Sequence, residues 1–156
     1  MDKPPAHRSA AGRAARLLSA VLLAPLIVLT LWIFAIAPDH PWHAGTTLAL
    51  TGYGALLLCL FGGISAGDAL RSAMTPWRPI IAGVLPVAVG LAAILTPAPY
   101  CFALLATGFA ALGAWDSFAR YRDDAPEWFG AGRSRDTIVI VAALILAFVA
   151  TAGQPG

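Results

Sequence analysis

Residues 17–36 read LLSAVLLAPLIVLTLWIFAI, twenty positions without a Lys, Arg, Asp, Glu or His. A bilayer core of about 30 Å needs roughly 20 helical residues, so this run is long enough to cross it. Arg8, Arg13 and Arg16 precede it, and Ala35-Ile36-Ala37 ends it with a pattern that a signal peptidase would accept. A signal's apolar region is about 7–15 residues, shorter than this one. The run is therefore expected to remain as a membrane anchor.

Four more runs follow: Thr47–Ala66, Ile80–Leu95, Tyr100–Trp115 and Thr137–Ala152, none with an ionisable Lys, Arg, Asp, Glu or His. The last three are 16 residues each and need their flanks to reach full length. Composition agrees with a membrane protein. The 156 residues are 59% hydrophobic and 12% charged, with a mean hydropathy of +0.77. Soluble domains carry about 25% charged residues, and a small domain in water needs them to cover its surface. Soluble enzymes and nucleic-acid binders are excluded on that ground. Strands in lipid would leave backbone groups unpaired, so the expectation is an all-α, polytopic integral membrane protein with five transmembrane helices. Residues 1–16 form a basic tail, 17–152 the membrane domain and 153–156 a short outer tail.

The ten basic residues set the orientation. Lys3, Arg8, Arg13 and Arg16 lie in the N-terminal tail, Arg71 and Arg78 between spans two and three, and Arg120, Arg122, Arg133 and Arg135 between spans four and five. With five spans all ten fall on one side, which the positive-inside rule places in the cytoplasm. The N-terminus is then cytoplasmic. Trp42, Trp77, Trp115 and Trp128 sit at span ends, where amphipathic rings favour the headgroup layer; Trp32 lies inside its span. The short tail and the Ala-, Arg- and Gly-rich style suggest a bacterial inner membrane.

Helices in lipid associate through small residues that let backbones approach. Gly63 and Gly67 form a GxxxG in span two, and Ala106, Ala110, Gly113 and Ala114 a small-residue stripe on span four. Internal packing is the expected use of both, with spans two, three and four as the tight core and homodimerisation as the lesser option. Pro25 and Pro86 lie within spans and predict kinks that neighbouring helices tolerate. Broken-helix repeats of the secondary-transporter kind are not visible.

Ionisable residues at the membrane are the default candidates for function. Asp68 ends span two and Asp116 ends span four. One reading pairs them as an ion- or proton-binding site. The other, favoured, reading gives each a partner on its own helix: Arg71 at three residues from Asp68, and Arg120 at four from Asp116. Asp39-His40-Pro41-Trp42-His43 lacks the further ligands of a zinc site, so no metal is expected there. Asp123, Asp124 and Glu127 could hold Mg²⁺ against a diphosphate, yet a second acidic cluster is missing. Arg120, Arg122, Trp128, Arg133 and Arg135 instead suggest a loop resting on anionic lipid headgroups. Cys59 and Cys101 both lie within spans and read as small buried apolar residues. GxSxG, HExxH, Walker A and CxxC motifs are absent from the sequence. A protein without catalytic activity, cofactor or nucleic-acid partner is expected. Its partners are the bilayer and either another membrane protein or a second copy.

Span two contains Tyr53-Gly54-Ala55 and ends Phe61-Gly62-Gly63-Ile64; span three contains Val84-Leu85-Pro86; Asp116, Pro126-Glu127-Trp128-Phe129, Arg133 and Thr137 follow in order, and Ala24-Pro25 lies in span one. This series resembles the domain-of-unknown-function family 3429, the family of the mitochondrial transmembrane protein 69. The resemblance covers roughly residues 53–146 and implies a multi-span inner-membrane fold without a named activity. The chain departs from the family pattern at Ser65-Ala66-Gly67, where the pattern continues His-Trp-Gly; any chemistry of that His would here be lost or moved to Asp68. The resulting expectation is an accessory, assembly or interaction subunit, with a small proton-coupled carrier using Asp68 and Asp116 as the alternative.

Overall fold

The computed structural model describes residues 5–37, 39–71, 77–122 and 127–153, with the side chains of 5–12, 14, 15, 68, 71, 78, 79, 119–122 and 127–132 set aside. The described residues form five helices and no strand: α1 Pro5–Ala35, α2 Trp42–Arg71, α3 Arg78–Leu95, α4 Tyr100–Arg122 and α5 Glu127–Ala152. Each apolar run supplies more than half of one helix, because lipid offers the backbone no partner outside the helix's own ladder. The helices overrun the runs. A proline in the first turn, where its missing N–H costs nothing, starts α3. At its other end the Thr96 N–H closes the last turn on the Ala93 carbonyl, 3.2 Å away.

Four segments are long and apolar enough to cross a membrane: Arg16–Ala35, Trp42–Gly67, Tyr100–Phe118 and Arg133–Ala152. The fourth and fifth, 16 residues by apolar count, reach 19 and 20 because their helices continue through polar flanks. Ile80–Leu95 in α3 stays shorter. At 1.5 Å per residue it spans about 24 Å, below the ~30 Å of a bilayer core. The chain is a polytopic membrane protein with an all-α fold.

The helices close into a ring in chain order, α1 on α2, α2 on α3, α3 on α4, α4 on α5 and α5 back on α1, with α2 also touching α4 across the ring. The α2–α3 seam is the broadest and α4–α5 the next, so α5 joins the core expected from spans two, three and four. Leu26, Leu50, Leu58, Phe102, Leu105 and Leu144 are fully buried in one cluster. Close approach rests on particular glycines. A Cβ at Gly62 would lie 2.5 Å from Pro86 Cγ, one at Gly108 2.8 Å from Val89, and one at Gly54 2.9 Å from Leu105. Added methyls there would force the helices apart.

The expected packing stripes are corrected by this geometry. Gly63 and Gly67 meet nothing within 4 Å and face outward, because the helical turn that points Gly62 at α3 points Gly63 away. In α4, Ala106 is buried and Gly113 lies against Thr137, but Ala110 and Ala114 are exposed. Ala110 instead lines a shallow apolar groove between α4 and α5, with Phe102, Val141, Ile145 and Phe148.

Burial is uneven along the bundle. We call the end where α1 and α5 begin the basic end, and the other the far end. Among described side chains, the fully buried residues of α1 begin only at Leu26, those of α4 stop at Leu112 and those of α5 begin at Ile140. The apolar core fills the middle and far end.

Candidate functional site

At the basic end the helices are held by polar side chains. Asp116, near the end of α4, meets Arg133 of α5 with Oδ2 and Nε 2.8 Å apart, and the two side chains are 13% and 12% exposed. Arg133 Nη2 donates to the Phe61 carbonyl of α2 and to Ser65 Oγ, both at 2.7 Å. Ser65 Oγ lies 2.8 Å from Asp116 Oδ1 and 3.1 Å from the Phe61 carbonyl. A hydroxyl has one proton to give. It goes to the carboxylate, since a charge-assisted bond is the stronger, and Arg133 serves the carbonyl. The chain of donation therefore runs Arg133 to Ser65 to Asp116.

Aromatic rings complete the cluster. The Arg133 guanidinium carbon sits 5.3 Å from the centroid of the Phe61 ring, within cation–π range. Phe61 in turn meets Phe109 edge-on at 6.1 Å. Thr137, one turn past Arg133, donates to the Arg133 carbonyl at 3.0 Å, and its methyl fills the space left by Gly113. A second tie joins α1 to α5, where Ser19 Oγ donates to Asp136 Oδ2 at 2.6 Å.

Arg133 is misplaced by the expectation of a lipid-headgroup contact. That expectation treats residues 120–136 as a surface loop, whereas α5 begins at Glu127 and carries Arg133 almost two turns into the helix. Its side chain turns inward to α2 and α4. Asp116 likewise has a partner across the bundle, beyond the same-helix Arg120 considered from spacing. Arg135 is exposed. The side chains of Asp68, Arg71, Arg120, Arg122 and Trp128, and the acidic Asp123, Asp124 and Glu127, lie outside the described residues. Ser65, Ser19 and Asp136 are the site residues that spacing alone does not reveal. Only Ser65 carries a prior signal, as the position where the chain leaves the family pattern.

At the far end His40 Nδ1 accepts the Trp42 N–H at 3.2 Å, capping α2. Among the described residues no three His, Cys, Asp or Glu side chains converge as metal ligands would. Cys59 is half-buried and Cys101 buried, both as free thiols.

Seven of the residues that carry the family resemblance, Tyr53, Gly54, Gly62, Pro86, Asp116, Arg133 and Thr137, are interhelical contacts. Tyr53 donates from α2 to the Leu22 carbonyl of α1 at 2.8 Å. That carbonyl is next to the one of Val21, which Pro25 deprives of its helical donor. Gly54 admits Leu105, Gly62 admits Pro86, Asp116 pairs with Arg133, and Thr137 fits Gly113. The arrangement binds helices to one another at each of these points.

No curated protein and no solved structure is matched by the chain. The family described as a protein of unknown function (DUF3429) matches residues 11–149, nearly the whole chain and every contact just described. The chain belongs to that family.

Proposed function

We propose that the protein is a non-catalytic accessory or assembly subunit of a bacterial inner membrane, acting through helix contacts with a second membrane protein. The outer face of α2 carries this reading. Gly45, Gly52, Gly63 and Gly67 all have open space where a Cβ would stand. At about 3.6 residues per turn they fall on one line along the helix. A helical glycine costs about 1 kcal/mol relative to alanine. Gly54 and Gly62 repay that cost through close packing, while these four find no such contact within the chain. Exposed glycines on a membrane helix are where another helix can approach closely. Ser65, Asp116 and Arg133 inside the bundle, in contrast, are engaged with the chain's own helices. That favours a structural role over a carrier built on Asp116, whose charge Arg133 balances. With five spans, the positions of the ten basic residues in the sequence support a cytoplasmic N-terminus.

The test is crosslinking in native membranes followed by purification, on the wild type and on Gly63→Leu/Gly67→Leu. Both leucines enter open space, so folding is expected to be unaffected. A stoichiometric partner captured by the wild type and lost from the variant is the expected result. Recovery of the wild type alone, as monomer or homo-oligomer, contradicts the proposal.

A further inference from the structure

We infer that the basic-end halves of α2 and α3 form a single hinged arm, held closed by the contact of Ser65 with Asp116 and Arg133. Helices bend at proline, at Gly/Ser pairs and where a side chain intrudes on the backbone ladder. All three causes meet at one level. In α2 the sequence is Phe61-Gly62-Gly63-Ile64-Ser65, and both Arg133 Nη2 and Ser65 Oγ approach the Phe61 carbonyl. In α3 the interruption is Pro86, which has no N–H to offer the Ala82 carbonyl.

The two weak points face each other. A Cβ on Gly62 would meet the Pro86 ring at 2.5 Å and the Ala82 carbonyl at 3.1 Å. The carbonyl that Pro86 leaves without its donor therefore faces Gly62, where no side chain stands between the two helices. One turn further toward the basic end, Ala66 Cβ stands 3.4 Å from where a Gly83 Cβ would be. The two half-helices are packed on each other there and move as a unit.

Packing against the rest of the bundle changes at the same level. On the far side, Leu58 and Val89 press on Gly108 of α4, and Leu57, Leu58 and Ala55 are buried. Past Gly62, Ser65 is the one buried side chain of α2 among those described, while Ile64 and Leu70 are exposed. On α3, Ile80, Val84 and Leu85 are exposed as well. A segment with few buried apolar contacts opens at low cost in free energy. Ser65, one turn past the pivot, fastens this segment to α4 and α5. Loss of its hydroxyl frees the arm while leaving the Asp116–Arg133 pair and the far-end core in place.

The experiment is a distance measurement between nitroxide labels on the full chain in phosphatidylethanolamine–phosphatidylglycerol nanodiscs. Cys59→Ala and Cys101→Ala supply a background without native thiols. One pair, at Leu70 and Phe118, reports the arm against α4; both sites are exposed. A second pair, at Leu48 and Ala103, reports the far end. Ser65→Ala is expected to lengthen and broaden the first distance and leave the second unchanged, with Asp116→Asn giving the same pattern more strongly. Adding Gly63→Ala to Ser65→Ala stiffens the pivot without a clash and is expected to narrow the first distance again. Unchanged Leu70–Phe118 distances in both latch variants overturn the inference. So do equal shifts in both pairs, and so does a Gly63→Ala substitution without effect.

Discussion

The far end and the basic end of this bundle are held together by different means. At the far end Phe102, Leu105, Leu58 and Leu144 interlock around glycines that bring backbones close. At the basic end, polar side chains among those described join helices: Ser19 with Asp136, and Ser65 with Asp116 and Arg133. Lipid is as apolar as leucine, so the first kind of contact gains only packing, spread over many atoms. The second is concentrated in a few groups whose alternative is an unsatisfied charge in a poor solvent. Substitutions at the far end should therefore cause graded losses, and those at the basic end losses that depend sharply on which partner is removed.

The largest effect is expected from leaving Arg133 without its carboxylate. Asp116→Ala should cost about 3–5 kcal/mol, the range for breaking a buried pair. Leu105→Ala at the far end should cost about 2–5 kcal/mol through the cavity it leaves. Reversible unfolding in mixed micelles compares the two. Replacing Asp116 and Arg133 together by apolar residues should recover much of the first loss and would sharpen the contrast; recovery of none of it would blur it.

Next in size is a pair of neighbours on α2. Gly62→Ala is expected to destabilise by about 1–3 kcal/mol, because its methyl meets Pro86 and the Ala82 carbonyl. Gly63→Ala, into open space, should be neutral or gain up to about 1 kcal/mol from helix propensity. The same unfolding assay decides, and equal effects would break the assignment of the two faces. Smaller still are the hydroxyl ties. Ser19→Ala and Tyr53→Phe each remove one interhelical hydrogen bond, worth about 0.6 kcal/mol on average between membrane helices. Tyr53→Phe should loosen α1 from α2, read as faster protease cleavage within residues 16–35. Cleavage at the wild-type rate would leave that bond without structural weight.

Much of the fold is legible in the sequence, for a physical reason. A bilayer imposes one length and one backbone solution on any spanning segment, so five uncharged runs translate directly into five helices. Side-chain partners are a different matter. Arg133 looks like a surface charge because Gly130, Gly132 and three other arginines surround it, yet helix α5 begins before it and turns it inward. Asp136 lies just before the last apolar run, and its partner is Ser19, 117 positions away. Gly63 and Gly67 stand out by spacing, but α2 has glycines on several faces. Only the neighbours decide that Gly54 and Gly62 carry the packing. The resemblance residues were the better guide, since Tyr53, Gly62, Pro86, Asp116, Arg133 and Thr137 each meet another helix. What they have in common is contact.

The basic end depends on the coupling of Asp116 to Arg133 across α4 and α5. A double-mutant cycle with Asp116→Asn and Arg133→Met, measured by reversible unfolding, tests it directly. The two residues in contact should show a coupling of about 0.5–3 kcal/mol, with the double variant more stable than the sum of the single losses. Additive losses, with no coupling beyond experimental error, would mean that the two charges act independently and that the basic end is held by something else.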